Sequence, residues 1–183
     1  MDESPKQIID YQVETGSDGK QYQDCEYVRK GVAELFVAFE PLAGWREISV
    51  EQDHKAATWV EFIARQMDTR YKDAKKVTWV MDNLSTQKDY NFYNFFDTKT
   101  AKSYLDRIEF VHTPKHGSWL NMAEIQFSVL SRQALERPFA SKEEVEQAVK
   151  EWTKTQNEQK KGAKWHFKTK DARIKLAKLY PTS

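Results

Sequence analysis

The chain has 183 residues, enough for one domain with a sizeable core, and a formal net charge of only +1. Its single cysteine, Cys25, excludes a disulfide framework and a multi-thiolate zinc site, which suits a reducing cytosol. No apolar run is long enough to span a membrane, and no leader-like segment predicts export. Aromatic residues make up 13% of the chain, which argues against disorder despite a mean hydropathy of −0.82. We therefore expect a folded cytoplasmic protein.

Charge is distributed unevenly along the chain. Residues 1–26 hold seven acidic residues against two lysines, whereas residues 153–183 hold nine Lys and Arg against two acids. A basic terminal segment can follow a phosphate backbone, but it can equally be the solvated face of a helix. Composition alone favours the second reading.

The first half of the chain alternates strand and helix signals. Residues 32–40 are rich in Val and Phe and predict a strand, and the turn at 41–44 joins it to a second strand at 45–50. Apolar positions at helical spacing then predict a helix over 54–71. The apolar run 77–81 predicts a further strand that ends at Asp82.

The second half is mostly helical. Residues 90–105 are aromatic-rich and predict a helix with a break near Asp97. The remaining predicted elements are a short strand at 108–111, a helix at 119–135, a helix opened by a capping box at Ser141-Lys142-Glu143-Glu144, and a short helix at 171–179. Strands followed by alternating strands and helices predict an α/β fold, a mixed sheet covered by helices.

Two carboxylates stand in apolar surroundings. Asp82 follows a strand of interior-type side chains, and Glu124 lies in a helix that is otherwise apolar except for a face shared by Asn121 and Ser128. An ionised carboxylate in such a place is costly unless a cation or hydrogen-bond donors compensate its charge. A divalent metal held by carboxylates from separate elements would do so, and a buried salt bridge is the simpler alternative.

Several motifs closely resemble bacterial transposases of the insertion sequence 630 family, which is related to the mariner superfamily. The most specific are the run Asp82-Asn83-Leu84-Ser85-Thr86 and the segment 107–124, which contains Pro114-Lys115-His116-Gly117-Ser118-Trp119-Leu120-Asn121-Met122-Ala123-Glu124. Segments 40–46, 130–133 and 171–176 are similar to the same family. The resemblance covers nearly the whole chain.

The resemblance implies a ribonuclease H-like DDE catalytic domain over residues 1–152, with a basic segment 153–183 packed on it or extending from it. Its three acids would be Asp2, in the motif Asp2-Glu3-Ser4-Pro5, followed by Asp82 and Glu124. In that case the carboxylates would hold two Mg²⁺ ions about 3.5–4 Å apart, with Mn²⁺ able to substitute. The implied activity is cleavage and transfer of DNA strands during transposition, in the cytoplasm and at the nucleoid.

The same resemblance suggests supporting roles. Asn83 and Asn121 would orient the carboxylates, and Lys115 and His116 would contact phosphates of the element ends or target DNA. Gln87 stands where the family usually has His, and it cannot take up a proton at neutral pH.

Two departures leave alternatives open. Only Met1 precedes Asp2, so we expect the helix-turn-helix region to be missing and the first strand of the sheet to be truncated. The partner would be a second copy, or a full-length or separately encoded transposase half. The chain could instead be an inactive remnant that at most binds DNA or such a partner. A glycosidase using Asp82 and Glu124 would fit the carboxylates but not the surrounding motifs.

Overall fold

The computed structural model describes residues 1–82, 84, 87–114, 117, 120–163, 166, 168–175 and 177. Within these ranges, strands and helices follow in the order β1 (Asp2–Thr15), β2 (Gln21–Glu40), β3 (Trp45–Glu51), α1 (Ala56–Asp68), β4 (Val77–Met81), α2 (Asn91–Phe95), α3 (Thr98–Leu105), β5 (Ile108–His112), α4 (Met122–Gln133), α5 (Lys142–Glu158) and α6 (Thr169–Lys175). The predicted mixture of strands and helices is therefore confirmed.

The first sheet is antiparallel, with the strand order β1-β2-β3. The predicted hairpin is confirmed, because Glu40 pairs with Trp45 across the turn. Gly44 has a φ of +64° there, which glycine adopts without strain. Arg46 follows the turn and is buried, donating hydrogen bonds to Gln156 Oε1 at 3.1 Å and to the Gly44 carbonyl at 3.3 Å. These contacts join the hairpin to the end of α5.

The first two strands extend well beyond β3 as a two-stranded arm, residues 9–32. The sequence did not predict this arm, because β2 begins at Gln21 rather than at residue 32. Its residues are mainly polar and lack a clean alternation, whereas the turn residues Gly16 and Gly19 are a hairpin signal that could have been used. The rings of Tyr11 and Tyr27 pack across the arm with centroids 6.0 Å apart.

The second sheet consists of β4 and β5, which pair in parallel with Met81 opposite His112. The predicted single mixed sheet is thus divided into two. The sheets meet where the Met1 α-amine donates a hydrogen bond to the Val80 carbonyl at 2.7 Å. Beside this junction lies a cavity of about 910 Å³, bounded by Ala38 to Glu40 of β2 and by Val77 to Val80 of β4.

Two hydrophobic cores lie on opposite faces of β2, because side chains alternate along a strand. Phe36 and Ala38 face α1 and pack in the core that contains Trp59 and Met81. The core on the opposite face contains Leu35 and Val37 of β2 with residues of α4 and α5, among them Phe127, Leu130, Val145, Val149 and Trp152. The sheet around β2 is therefore covered on both sides. The first residue of the edge strand β1, Asp2, is also buried.

Two predicted helix boundaries are confirmed by their caps. The Asp97 carboxylate accepts the backbone N–H groups of Lys99 at 2.9 Å and Thr100 at 3.1 Å, which ends α2 and opens α3. Ser141 Oγ accepts the Glu144 N–H at 3.3 Å at the start of α5. Among the helices in the described ranges, none is long and apolar enough to cross a membrane.

Candidate carboxylate site

Asp82 lies at the carboxyl end of the parallel pair, as the sequence predicts. It follows Met81, and the neighbouring strand ends beside it at His112. His112 Nδ1 lies 3.0 Å from the Asp82 carbonyl oxygen, and the Thr113 N–H donates to the Met81 carbonyl at 2.8 Å. The two strand ends therefore hold the backbone on both sides of the carboxylate.

Asp2 begins β1 at the junction of the two sheets and is 8% exposed. It pairs with Val37, so its side chain shares the face of the sheet that α4 and α5 cover. Burial raises the pKa of Asp2 to about 6; the Glu3 N–H bonded to it at 3.0 Å opposes the rise, and the charges of Asp82 and Glu124 add to it. The two other acids named from the resemblance, Asp82 and Glu124, are therefore close enough to influence the charge of Asp2.

Glu124 is in the first turn of α4, and Asn121 is the N-cap of that helix. The Asn121 side chain is 2% exposed. Its Oδ1 accepts the Ala123 N–H at 3.2 Å, and its Nδ2 donates to the Met1 carbonyl at 2.8 Å. One amide thus caps α4 and ties it to the residue before Asp2, which positions Glu124 relative to that acid.

The Met1 α-amine is buried among these acids. Burial lowers the pKa of the Met1 α-amine to about 6, while the charges of Asp2 and Asp82 oppose that change. In its protonated form the amine partly compensates the carboxylates.

Glu3 is a further acid at the site that the sequence analysis did not single out. It pairs with Phe36, so its side chain points to the α1 face, away from that of Asp2. Burial raises the pKa of Glu3 to about 6; the Gln87 amide and His54 oppose the rise, and the charges of Asp82 and Asp2 add to it. Its position directly after Asp2 was visible, but its burial depends on the fold.

Gln87 is 1% exposed beside Glu3. Their contact is not a well-aligned hydrogen bond, since Gln87 Nε2 and Oε1 and Glu3 Oε2 are all buried without a hydrogen-bond partner in the described part of the chain. Buried amides and carboxylates are ordinarily satisfied, so these unpartnered atoms of Glu3 and Gln87 are an exception that a bound group could satisfy.

The carboxylates are chemically suited to a divalent cation. Asp82 Oδ1 is buried without a hydrogen-bond partner among the described residues, and burial raises the pKa of Asp82. Several clustered carboxylate oxygens are the ligands that hard cations such as Mg²⁺ and Mn²⁺ prefer. Within the described ranges, however, no three His, Cys, Asp or Glu side chains already converge as a complete set of metal ligands. The donor chemistry fits a metal, but the ligands are not fully assembled.

Three predicted site residues, Asn83, Lys115 and His116, lie outside the described residues. Among the described residues nearby, the Gly117 N–H donates to the Pro114 carbonyl at 2.8 Å and the Leu120 N–H donates to the Gly117 carbonyl at 2.9 Å. Leu120 directly precedes Asn121, the N-cap of α4.

A comparison with protein-family models places most of the chain in a known family. Residues 1–146 match a family model described as DDE superfamily endonuclease. No curated protein and no solved structure matches significantly. The matched stretch contains Asp2, Asp82 and Glu124 and extends from β1 into α5. On this match, the chain belongs to the DDE superfamily endonucleases.

Proposed function

We propose that this chain is the catalytic domain of an insertion sequence 630-type transposase, which cleaves DNA strands and joins them to a target. The supporting observation is that Asp2, buried at the start of β1, interacts electrostatically with Asp82 after β4 and with Glu124 on α4. Three carboxylates from three separate elements would thus serve one site. We assign residues 1–152 to a ribonuclease H-like domain and residues 153–183 to its basic extension.

Asp2, Asp82 and Glu124 would hold two Mg²⁺ ions, for which Mn²⁺ would substitute. Bound divalent cations supply Lewis acidity, which activates an attacking oxygen and stabilises the leaving oxygen of a phosphodiester. Asn121 keeps Glu124 and Asp2 in register through its bond to Met1. Since the folded chain raises the pKa of Asp2 by burying it, cation binding would also relieve an unfavourable charge.

The substrate would be DNA, at the element ends and at the target. We propose that Lys115 and His116 contact phosphates and that Asn83 orients Asp82. The basic residues of 153–183 would add attraction to the phosphate backbone. A second copy, or a full-length or separately encoded transposase half, would contribute the sequence-specific recognition of the ends.

A thermal melt with and without Mn²⁺ tests the metal site directly. We expect Mn²⁺ to raise the melting temperature of the parent, because a ligand that binds the folded state stabilises it. The Asp82→Asn variant should melt higher than the parent without metal, since it removes repulsion, and should show no Mn²⁺ shift. Asp73→Asn, which alters an exposed acid between α1 and β4, is the control and should behave like the parent.

Activity is then tested by nicking of supercoiled DNA in Mg²⁺ or Mn²⁺. The parent should nick the DNA and Asp82→Asn should not. An equal Mn²⁺ shift in the parent and in Asp82→Asn would contradict the assigned site.

The alternative is a folded remnant without catalysis. It is favoured by the lack of a fully assembled set of ligands in the described part of the chain. A cooperative melt with no Mn²⁺ shift in the parent, together with no nicking, would establish this alternative.

A further inference from the structure

Four large apolar side chains are exposed in the stretch of chain between Asp82 and α3. Tyr90 is 58% exposed, Tyr93 49%, Phe95 45% and Leu84 37%. We call these four residues the α2 patch. They account for most of the large apolar side chains in this stretch, and they contrast with their neighbour Phe92, which is fully buried.

The α2 patch stands on a rigid base. Phe92 packs against Trp59 with ring centroids 5.8 Å apart and against Phe110 at 6.4 Å, which fixes α2 to the core on the α1 side. The Tyr93 N–H donates to the Tyr90 carbonyl at 3.1 Å. These two tyrosines are three residues apart in a helical turn and therefore lie on the same side of it. Their rings are presented to solvent from a backbone that cannot easily retract them.

The patch directly follows the carboxylate Asp82 in the chain. The Leu84 backbone N–H interacts with the Asp82 carboxylate, and the Gln87 N–H donates to the Leu84 carbonyl at 3.2 Å. Lys88 follows Asp82 by six residues, and its carbonyl accepts the Asn91 N–H at 3.0 Å. A cationic side chain and then exposed aromatic rings therefore follow Asp82 along the chain.

We propose that the α2 patch is a stacking platform for unpaired nucleobases of the DNA strand whose phosphodiester lies at Asp82. The proposal rests on the proposed function, because it takes DNA as the substrate. Aromatic side chains stack on bases of any sequence once the bases are unpaired, whereas a duplex hides those faces. The positive charge of Lys88 would attract the phosphates of such a strand, and the uncharged rings would stack on its bases. The occupant is thus single-stranded DNA next to the cleaved bond.

The test compares three fluorescent DNA probes by anisotropy in metal-free buffer, where no strand is cleaved. One probe is a blunt duplex, the second adds a four-nucleotide single-stranded extension, and the third has the same extension without bases. We expect the parent to bind the base-bearing extension about 5- to 50-fold more tightly than the abasic one.

The variants assign that preference to the patch. Tyr90→Ala and Tyr93→Ala should lose it and leave binding of the blunt and abasic probes unchanged. Tyr90→Phe keeps the ring and should retain the preference. Tyr22→Ala removes a similarly exposed tyrosine, 55% exposed, from the distant arm and should also retain it.

Three results would overturn the proposal. If the parent binds the blunt duplex but shows no preference for bases, the platform is refuted and the proposed function stands. If the parent binds none of the probes, both fail. If Tyr93→Ala abolishes self-association of the chain and leaves the base preference intact, the patch is a contact between copies.

Discussion

The Asn121 side chain combines two roles that substitutions can separate. Its Oδ1 caps α4 through the Ala123 N–H, and its Nδ2 satisfies the Met1 carbonyl next to Asp2. Asn121→Ser retains a hydroxyl that can cap the helix but cannot reach Met1. Asn121→Ala removes both interactions. The difference between these variants therefore measures the cap, and the loss in Asn121→Ser measures the link between α4 and β1.

The expected magnitudes follow from burial, since the side chain is 2% exposed. Loss of an N-cap costs about 1 kcal/mol. Leaving a buried carbonyl without its donor costs about 1–3 kcal/mol. Asn121→Ser should therefore lose about 1–3 kcal/mol of unfolding free energy, and Asn121→Ala about 2–4 kcal/mol. For a chain of this size, the larger loss lowers the melting temperature by roughly 5–15 °C.

Urea unfolding followed by tryptophan fluorescence measures the stability, and Mn²⁺ titration of the melting temperature measures the site. If Asp2 and Glu124 are ligands as proposed, both variants should bind Mn²⁺ about 10- to 100-fold more weakly, because Asn121 no longer ties α4 to the residue before Asp2. Ser128→Ala, at an exposed position of the same helix, is the control and should match the parent. Parent-like stability of Asn121→Ser would refute the link to Met1, and parent-like Mn²⁺ affinity would refute its role in positioning the acids.

Three further predictions concern pH, the hairpin turn and the aromatic core. The free energy of unfolding of the metal-free protein, measured in urea, should fall as pH rises from about 4 to 6. Burial raises the pKa values of Asp2 and Glu3 to about 6, so the folded state retains protons on them after the unfolded state has released its own. A flat or rising stability over this range would contradict the prediction. Arg46→Lys should cost about 2–4 kcal/mol, since an ammonium cannot reproduce the bonds of the buried guanidinium to Gln156 and Gly44, and an unchanged urea midpoint would disprove it. Phe92→Ala should cost about 3–5 kcal/mol by calorimetry, whereas Phe95→Ala, which truncates an exposed ring, should stay within about 0.5 kcal/mol; equal losses would contradict the assigned packing.

The elements that the sequence predicts well are those with strong local signals. The hairpin at 32–50 has a strand rich in Val and Phe and a glycine turn, α1 has a regular apolar stripe, and Asp97 and Ser141 are capping residues placed directly before helices. The arm was not predicted because its residues are mainly polar and lack alternation, although Gly16 and Gly19 mark the turn between its strands. The division into two sheets was not predicted either, because it depends on the contact between Met1 and Val80, which are far apart in the sequence.

The acids of the site likewise differ in whether neighbouring residues in the sequence reveal them or only the folded structure does. Asp82 and Glu124 could be selected because each acid conflicts with its immediate neighbours. Asp2 could be selected only through its motif, since nothing around it in the sequence indicates burial. The bond from Asn121 to Met1 joins residues 120 positions apart, and the burial of Gln87 beside Glu3 likewise arises only on folding. No pattern within a short window contains such contacts.

Because the strands form two sheets, Asp2 and Asp82 are attached to different sheets of the molecule. Asp2 belongs to one sheet and Asp82 follows a strand of the other, and Met1 and Val80 meet at their junction. Any cation held by both carboxylates therefore cross-links two separately paired halves of the molecule. The free energy needed to separate the two sheets at their junction would rise with metal concentration, by about 2.7 kcal/mol at a hundredfold excess over the dissociation constant. Amide exchange along β4 would then report how fully the cross-link is formed.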